Sequence, residues 1–346
     1  MNKNNAYIDI HVLQTLPPSC VNRDDTGSPK TAFYGGVNRA RVSSQAWKHA
    51  MREMFRAQFQ EDEVGSRTKK LVEMVSEEIR ILSPESDAEK KASTALTYAG
   101  IKLKDNKAAA LFFISRAQAK AIARLVVEGC EDKKAYQAAM KENPAIDMIL
   151  FGRMAASDPS LNYDAAAQVA HSISTHAVHN EYDYFTAVDD CGEEDSAGAG
   201  HLGTVEFNSS TMYRYATVNV REVYNALNER TADAIAGFID AFVRSMPTGK
   251  QNSFANRTLP DVVYVTARRD QPINLAGAFE KPVVSDNGFA EKSELILCDY
   301  ARKIYANYVG EPEKAFGVGD TISAISEKST MPELLEKVKT WINTEM

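Results

Sequence analysis

Apolar and polar residues alternate with the two-residue period of a β-strand near the N-terminus and again in the second half of the chain. In the first such stretch, Ile8, Ile10 and Val12 fall on one face. The alternation predicts strands over residues 6–13, 37–42, 183–188, 204–220 and 261–268. Elsewhere the apolar residues recur every three to four positions, which predicts helices over residues 44–59, 66–82, 87–99, 108–128, 131–141, 144–153, 163–177, 221–245, 291–308 and 332–343.

Two segments follow neither pattern. Residues 14–36 are rich in Pro, Gly, Asp and Asn, which predicts a long loop, and long loops inside compact domains are usually functional. Residues 190–203, DCGEEDSAGAGHLG, have little to bury and are expected to form a mobile tip. Without residues 60–203 the order of elements matches the βαββαβ plan of ferredoxin-like, RNA-recognition domains. The predicted fold class is therefore α+β, with a large helical insertion in a ferredoxin-like core.

The composition is that of a soluble globular protein. The 346 residues are 44% hydrophobic and 25% charged, enough for one large or two ordinary domains. The N-terminus lacks the features of a signal peptide and no apolar run is long enough to cross a bilayer, so we expect a cytoplasmic protein with no membrane partner. The cysteines form no C-x-x-C pair, so we expect reduced thiols and no structural zinc: Cys20, Cys130, Cys191 and Cys298.

Charge is segregated along the chain. The net charge of −7 argues weakly against general affinity for nucleic acid, because an acidic protein repels phosphates at long range. From Met154 to Tyr213, however, there is no Lys or Arg while ten acidic residues occur. This segment carries −10 and leaves +3 for the remainder. One surface can therefore bind phosphate although the protein as a whole is acidic.

The strongest chemical signal is the segment from Asn22 to Arg52, called here the basic segment. Its two acids, Asp24 and Asp25, are outnumbered by six basic residues, which are Arg23, Lys30, Arg39, Arg41, Lys48 and Arg52. The predicted helix inside it opens with Ser43-Ser44-Gln45 and so presents free backbone N–H groups and a positive dipole end. Lys48, Arg52 and Arg56 recur every fourth residue as a basic stripe. We interpret the segment as a binding surface for a polyanion; the alternative is an ordinary solvated face.

Histidines gather in the acidic part of the chain. His171, His176, His179 and His201 lie near acids, which raises the hypothesis of a metal site or a hydrolytic centre. Their spacing does not match the i, i+4 arrangement of H-E-x-x-H sites, so surface or helix-end histidines are the alternative interpretation. The sequence contains no Walker A loop, G-x-S-x-G elbow or dinucleotide-binding fingerprint. The residues therefore favour binding over catalysis, with no catalytic residue, metal or cofactor expected.

A second group of candidates is aromatic. Met154 follows a predicted helix, and Tyr182, Tyr184 and Phe185 cluster further on. Such side chains beside a cationic groove can stack on bases or wedge between them. A place in the hydrophobic core is the alternative.

Seven strings in this order resemble the repeated crRNA-binding backbone subunit (CasC) of Cascade, the type I-E CRISPR surveillance complex, within the RAMP superfamily. They are PPSCVNRDD, FYGGVNRARVSSQAWKHAMR, LFGRMAAS, VAHSISTHAV, DYFTAVDD, GAGHLGTVEFNSSTMYRYATVNV and LAGAFEKPV. The resemblance runs from about Tyr7 to the final helix, and only residues 60–145 lack diagnostic motifs.

The resemblance implies an RRM-like palm, helical fingers and a β-hairpin thumb. The palm would comprise residues 1–59 and 213–346, the fingers 60–180 and the thumb 188–212. Several copies, six in the family's usual complex, would polymerise head to tail along the spacer of CRISPR RNA (crRNA), together with other Cascade subunits. Each thumb would displace one base in six and leave the others to pair with a target DNA strand, so that specificity belongs to base pairing.

The resemblance also assigns residues. The grip on the RNA backbone would use Arg23, Lys30, Ser43, Gln45 and Lys48, supported by Arg41 and Arg52. The displaced nucleotide would lie between Met154 on one side and Phe185 with Thr186 on the other. The thumb tip would contain His201 and Leu202.

Two enzymatic alternatives stay open at this point. The first is a ferredoxin-like endoribonuclease that processes crRNA with a histidine, His171 or His176, as general base. The second is a metal-dependent phosphohydrolase built on the histidine-rich segment.

Overall fold

The computed structural model describes residues 5–84, 87–155, 158–187 and 201–346, with the backbone alone at 187, 201 and 202. The described chain is a mixed α+β protein. Its strands are Tyr7–Ser19 (β1), Thr31–Tyr34 (β2), Val37–Val42 (β3), Ser66–Thr68 (β4), Leu103–Lys104 (β5), Lys107–Ala108 (β6), Phe112–Ile114 (β7), Ala167–Val169 (β8), Ser172–Ser174 (β9), Glu181–Ala187 (β10), His201–Asn219 (β11), Val262–Arg268 (β12), Lys314–Val318 (β13) and Glu327–Lys328 (β14).

The α-helices are Ser44–Gln58 (α1), Leu71–Leu82 (α2), Ala88–Tyr98 (α3), Arg116–Val127 (α4), Lys133–Ala139 (α5), Ile146–Phe151 (α6), Val220–Leu227 (α7), Thr231–Arg244 (α8), Gln251–Phe254 (α9), Ala290–Ile304 (α10) and Met331–Glu345 (α11). Short 3₁₀ helices cover Pro159–Leu161, Asn228–Arg230, Leu275–Phe279 and Thr321–Ala324, and α10 continues into a π-helical turn, Tyr305–Val309.

The chain divides into two compact units. The first unit contains residues Met1–Met51, Val169–Thr217 and Phe238–Trp341, and the second contains Arg52–Gln168, Val218–Gly237 and Ile342–Met346.

A large sheet organises the first unit. Its strands follow the order β14-β13-β12-β1-β11-β9-β3-β2, and β8 and β10 also pair with β11. β1 and β12 are antiparallel, with Ile10 opposite Val265. β1 is central, and residues 8–14 are buried on both faces of the sheet. Its apolar row of Ile8, Ile10 and Val12 is the row that the alternation predicts.

The second unit is mainly helical. Apolar residues of α2, α3, α4 and α5 form one core, which includes Val75, Leu96 and Ile122. The helix α4 begins with a complete capping box, in which Ser115 and Gln118 satisfy each other's backbone N–H groups. Arg153 is buried in this unit and donates hydrogen bonds to the carbonyl oxygens of Leu161 (2.8 Å) and Met140 (2.9 Å).

The predicted helix over 163–177 is wrong. The structure has β8 and β9 there, and β9 lies between β11 and β3. Ser172 accepts a hydrogen bond from Nε1 of Trp47 (2.9 Å), and Ser174 accepts one from the backbone N–H of Ala40 (3.0 Å). These contacts with distant segments, together with strand pairing on both sides, outweigh the helical preference of the local alanines.

Other elements differ at their ends. The predicted loop over 14–36 is shorter, because β1 extends to Ser19 and β2 occupies 31–34. The helices predicted over 66–82 and 108–128 begin later, since β4 and β7 pair with each other. The helix predicted over 221–245 is interrupted at Asn228, whose φ of +48° is incompatible with a continuous helix. Of the predicted tip over 190–203, residues 201–203 belong to β11 and the remainder lies outside the described residues.

The three cysteines in the described ranges, Cys20, Cys130 and Cys298, are free thiols. Cys191 lies outside these ranges.

Arg39 connects three segments of the first unit. Its fully buried guanidinium donates to the carbonyl oxygens of Tyr34 (3.2 Å), Ser174 (2.9 Å), Phe279 (2.8 Å) and Glu280 (3.3 Å). The β2–β3 turn, β9 and the 3₁₀ helix Leu275–Phe279 therefore meet at one side chain. Gly35 belongs to the same arrangement, because it has a φ of +59° and a Cβ atom there would collide with the carbonyl oxygen of Glu280.

Replacing Arg39 with Lys should lower the free energy of unfolding by about 2–4 kcal/mol, because an ammonium group cannot reach carbonyls in several directions and leaves buried acceptors unpaired. Urea unfolding measures the change. Arg302→Lys, on the exposed side of α10, is the control and should change stability by about 0.5 kcal/mol or less. Equal stability of the two variants would contradict the role given to Arg39.

Asp9 is a buried carboxyl on the face of β1 opposite to Ile8, Ile10 and Val12. It accepts hydrogen bonds from the Tyr215 hydroxyl (2.8 Å) and the backbone N–H of Ile273 (2.9 Å). Burial raises its pKa from 3.8 to about 6, although these hydrogen bonds act in the opposite direction. Folding therefore favours the protonated carboxyl.

The contribution of Asp9 to stability should be fully present below about pH 4 and lost as the pH rises through 6, because the folded state binds the proton more tightly than the unfolded state. Relative to Asp9→Asn, the wild type should lose about 2–3 kcal/mol between pH 4 and pH 7. Urea unfolding of both proteins across this range tests the prediction, and parallel pH curves would contradict it.

Candidate nucleic-acid interface

The loop after β1 is folded by its own acidic residue. Oδ1 of Asp24 accepts hydrogen bonds from the backbone N–H groups of Thr26 (2.9 Å) and Ser28 (3.0 Å). These bonds lower the pKa of Asp24, the hydrogen bond from the Thr26 hydroxyl having the largest effect. A β-bridge between Arg23 and Pro29 closes the loop. The exposed Arg23 is thereby held on an ordered turn.

Asn22 joins this loop to the start of α1. Its backbone carbonyl accepts from the N–H of Lys30 (2.8 Å), and its side-chain oxygen accepts from the N–H of Ser43 (2.9 Å). Ser43 is the N-cap of α1, since its hydroxyl oxygen accepts from the N–H of Ala46 (3.3 Å). Ser43 is buried, so its first role is to shape the helix start, while its hydroxyl proton stays available for donation.

Lys30, Arg41 and His171 form a cluster beside the loop. Nη1 of Arg41 lies 3.0 Å from Nδ1 of His171, and Nε of Arg41 donates to the carbonyl of Thr31 (3.0 Å). Partial burial, together with the charges of Arg41 and Lys30, lowers the pKa of His171. Because a guanidinium only donates, Nδ1 must accept, so His171 is neutral and carries its proton on Nε2. The cluster thus offers two cations and a ring N–H donor.

The first turns of α1 carry the next candidates. Gln45 is exposed and Lys48 is half-buried. They stand on the first turns of a 15-residue helix, and Asn22, the neighbour of Arg23, bonds to the N-cap of that helix. Such a collection of cations, polar side chains and a helix start is suited to phosphate groups.

Arg52 departs from the sequence prediction. It is buried, its Nε lies 2.8 Å from Oδ2 of the fully buried Asp147, and its Nη2 donates to the carbonyl of Gly65 (3.0 Å). The guanidinium also lies 4.6 Å from the centre of the Phe113 ring. Arg52 is therefore a core ion pair of the second unit, and the predicted basic stripe of Lys48, Arg52 and Arg56 is wrong at its middle member.

The candidates for base contact are exposed where they are described. Met154, in the second unit, is 87% exposed. In the first unit, the ring of Phe185 covers Gly203 on the paired strand, where a Cβ atom would collide with it, and Thr186 is exposed opposite Leu202. β10 and β11 thus pair as antiparallel strands. The remainder of the predicted thumb tip, and the side chains of His201 and Leu202, lie outside the described residues.

His176 has a structural role. Its Nδ1 lies 2.9 Å from the carbonyl of Ala177, Nε2 accepts from the backbone N–H of Thr211 (3.1 Å), and the ring stacks on Phe289 at 3.6 Å. Both ring nitrogens are engaged, which leaves neither one to take a proton from a substrate. Within the described residues, no group of three or more His, Cys, Asp or Glu side chains is placed to hold a metal ion.

Two residues near the basic segment were missed as binding candidates. His171 was considered only as a base or metal ligand, and its contact with Arg41 depends on strand pairing that the sequence does not reveal. Lys250 lines a cavity with Arg23, although more than two hundred positions separate them. Among the described residues, none of the helices has the length and apolar character required to span a membrane.

The fold and this surface define an α+β protein with a group of cationic side chains near the start of α1. A family model described as CT1975-like protein matches residues 8–341, and the chain belongs to the CT1975-like protein family. Membership of this family confirms the resemblance of the seven sequence strings to a Cascade backbone subunit. The type I-E subtype stays a prediction. A search among curated protein sequences finds no match.

Two solved structures are similar over nearly the whole chain. One is a chain of a "CRISPR RNA-guided surveillance complex, pre-nicking", with 31% identity and a TM-score of 0.80, covering 97% of this chain and 100% of that chain. The other, from a "CRISPR RNA-guided surveillance complex", has 30% identity and a TM-score of 0.66, covering 97% and 99%.

Arg52→Gln should destabilise the second unit by about 3–5 kcal/mol, because it leaves the carboxylate of Asp147 buried without a partner. Arg56→Gln, one turn further along α1, removes only an exposed pair with Glu53 and should cost about 0.5 kcal/mol or less. Urea unfolding of the two variants compares them directly. A near-neutral Arg52→Gln would show that this ion pair does not support the core.

Proposed function

We propose that this protein is a non-catalytic, crRNA-binding backbone subunit of a CRISPR surveillance complex. The observation that carries the proposal is the concentration of Arg23, Lys30, Arg41 and Lys48 around the start of α1. Family membership and the similarity to chains of RNA-guided surveillance complexes support RNA as the polyanion. The ligand of this surface is then RNA.

The chemistry of the surface favours the RNA backbone over the bases. Arg23, Lys30 and Lys48 neutralise phosphates as cations, and Arg41 adds a planar fork whose position is set by Thr31 and His171. Backbone contacts give affinity without sequence preference. Sequence recognition is then left to pairing between the RNA and a target DNA strand.

The sheet topology supports a ferredoxin-like palm. β12, β1 and β11 are neighbours in the sheet, as the fourth, first and third strands of a βαββαβ unit are. The β10–β11 ladder supports the thumb hairpin, and the helical core of the second unit supports the fingers. Residues 1–59 and 213–346 then correspond to the palm, 60–180 to the fingers and 188–212 to the thumb.

The same proposal includes assembly. Several copies, six by resemblance, bind head to tail along one crRNA with other Cascade subunits, in the cytoplasm. Met154 in the second unit and the Phe185–Thr186 pair in the first unit each contact RNA bases. The engaged ring nitrogens of His176 support a role in binding rather than catalysis.

Native purification from cells with a CRISPR array should recover the protein with RNA of uniform length. In binding assays with labelled RNA, Lys30→Gln should weaken binding equally for unrelated spacers and lower the slope of log K against log salt concentration by about 0.7, the loss of one phosphate contact. Lys314→Gln, at the exposed first residue of β13, is the charge-matched control and should bind like the wild type.

An RNA-free monomer from such cells, or a loss confined to some spacers, would contradict the proposal. Cleavage of repeat RNA without metal, abolished by His171→Ala, would instead favour an endoribonuclease.

A further inference from the structure

A cavity of about 310 Å³ lies in the first unit between the loop after β1, the β10–β11 ladder and the loop after α8. Its lining includes Arg23, Ser28, Tyr182, Glu206 and Lys250. We call it the Lys250 pocket. Arg23 and Ser28 belong to the basic segment and Tyr182 to the aromatic candidates, whereas Glu206 and Lys250 lie outside both.

The backbone of Lys250 is strained at this pocket. Its φ of 51° and ψ of 20° are left-handed, a conformation that costs free energy for any residue with a side chain. The preceding residue, Gly249, packs against the backbone of Val21 so closely that a Cβ atom there would collide with the carbonyl oxygen of Val21. On the other side, Phe254 packs on Phe207 of β11 at 5.7 Å. The loop is thus held on both sides in the conformation that places Lys250 beside Arg23.

The charged side chains of the pocket act on the thiol of Cys20. Burial raises the pKa of the buried Cys20 thiol, the charges of Arg23 and Lys250 lower it, and those of Glu206 and Asp24 raise it. The side chains that line the pocket include two cations and one carboxylate, an excess of positive charge suited to an anion, while the nearby Asp24 accepts hydrogen bonds from the N–H groups of its own loop. Glu206 accepts a hydrogen bond from Nδ2 of Asn180 (2.6 Å), which fixes a carboxylate acceptor in the wall.

Tyr182 gives the pocket an aromatic wall. It lies opposite Glu206 in the β10–β11 ladder and is 70% exposed. An inorganic anion uses neither an aromatic face nor an acceptor. A nucleotide uses the cations, the aromatic ring and the carboxylate acceptor. Its phosphate needs cations, its base stacks on a ring, and its sugar and base offer hydrogen-bond donors.

We propose that the Lys250 pocket binds one nucleotide of the RNA strand, with Lys250 and Arg23 on its phosphate and Tyr182 stacked on its base. The inference rests on the proposed function and adds Lys250 and Tyr182 to it. The strained backbone of Lys250 is then retained for the ligand and not for folding.

The test compares variants of the full-length protein by fluorescence anisotropy with a labelled single-stranded RNA across a salt series. Lys250→Gly and Lys250→Gln should each weaken binding and lower the salt slope by about 0.7. Lys250→Gly should also leave the melting temperature unchanged or raise it, since glycine relieves the left-handed strain. Lys250→Arg should keep the salt slope, and Lys314→Gln is the control for charge loss elsewhere.

A second pair of variants tests stacking. Tyr182→Leu should weaken binding about tenfold, whereas Tyr182→Phe should bind like the wild type, because the ring and not the hydroxyl contacts the base. Lys250→Gly and Tyr182→Leu proteins that fold and bind RNA with wild-type affinity and salt slope would overturn the inference and leave the proposed function intact. A wild-type protein that binds no RNA would overturn both.

Discussion

The first unit depends on the hydrogen bonds between one buried guanidinium and backbone carbonyls. Arg39 joins the β2–β3 turn, β9 and the 3₁₀ helix Leu275–Phe279, and each of these segments would otherwise leave carbonyl groups buried without partners. Arg153 has the same function in the second unit. An arginine is effective there because its rigid fork donates in several directions at once, and carbonyls stabilise its charge without a buried carboxylate.

This use of arginine separates the basic segment into two functions. Arg39 and Arg52 face the interior and hold the chain together, whereas Arg23, Lys30 and Arg41 remain at the surface around the start of α1. The net charge of the segment is therefore a poor measure of its capacity for phosphate. The capacity for phosphate depends on which cations already donate their N–H groups to backbone carbonyls or to Asp147, and on which cations keep N–H groups for a ligand.

The parts of the fold that follow from local pattern could be predicted, and the parts that follow from distant contacts could not. The apolar row of β1 and helix α1 are visible in the sequence because each has a regular repeat. β9 is not, since Ser172 and Ser174 are strand residues through pairing with β3 and β11 and through contacts with Trp47 and Ala40. The candidate site divides in the same way. A run of cations indicates a phosphate-binding surface, but the burial of Arg52 and the approach of Lys250 to Arg23 depend on residues far away along the chain.

The contact between Arg41 and His171 has a consequence for the heat of binding. The histidine is neutral because a guanidinium donates to its Nδ1. In the proposed complex with RNA, a phosphate placed nearby stabilises the protonated ring, so the pKa of His171 rises on binding. Near the pKa of the free ring, complex formation then takes up protons from the solvent. The enthalpy seen by calorimetry therefore includes the ionisation of the buffer, and it differs between buffers even when the affinity is the same.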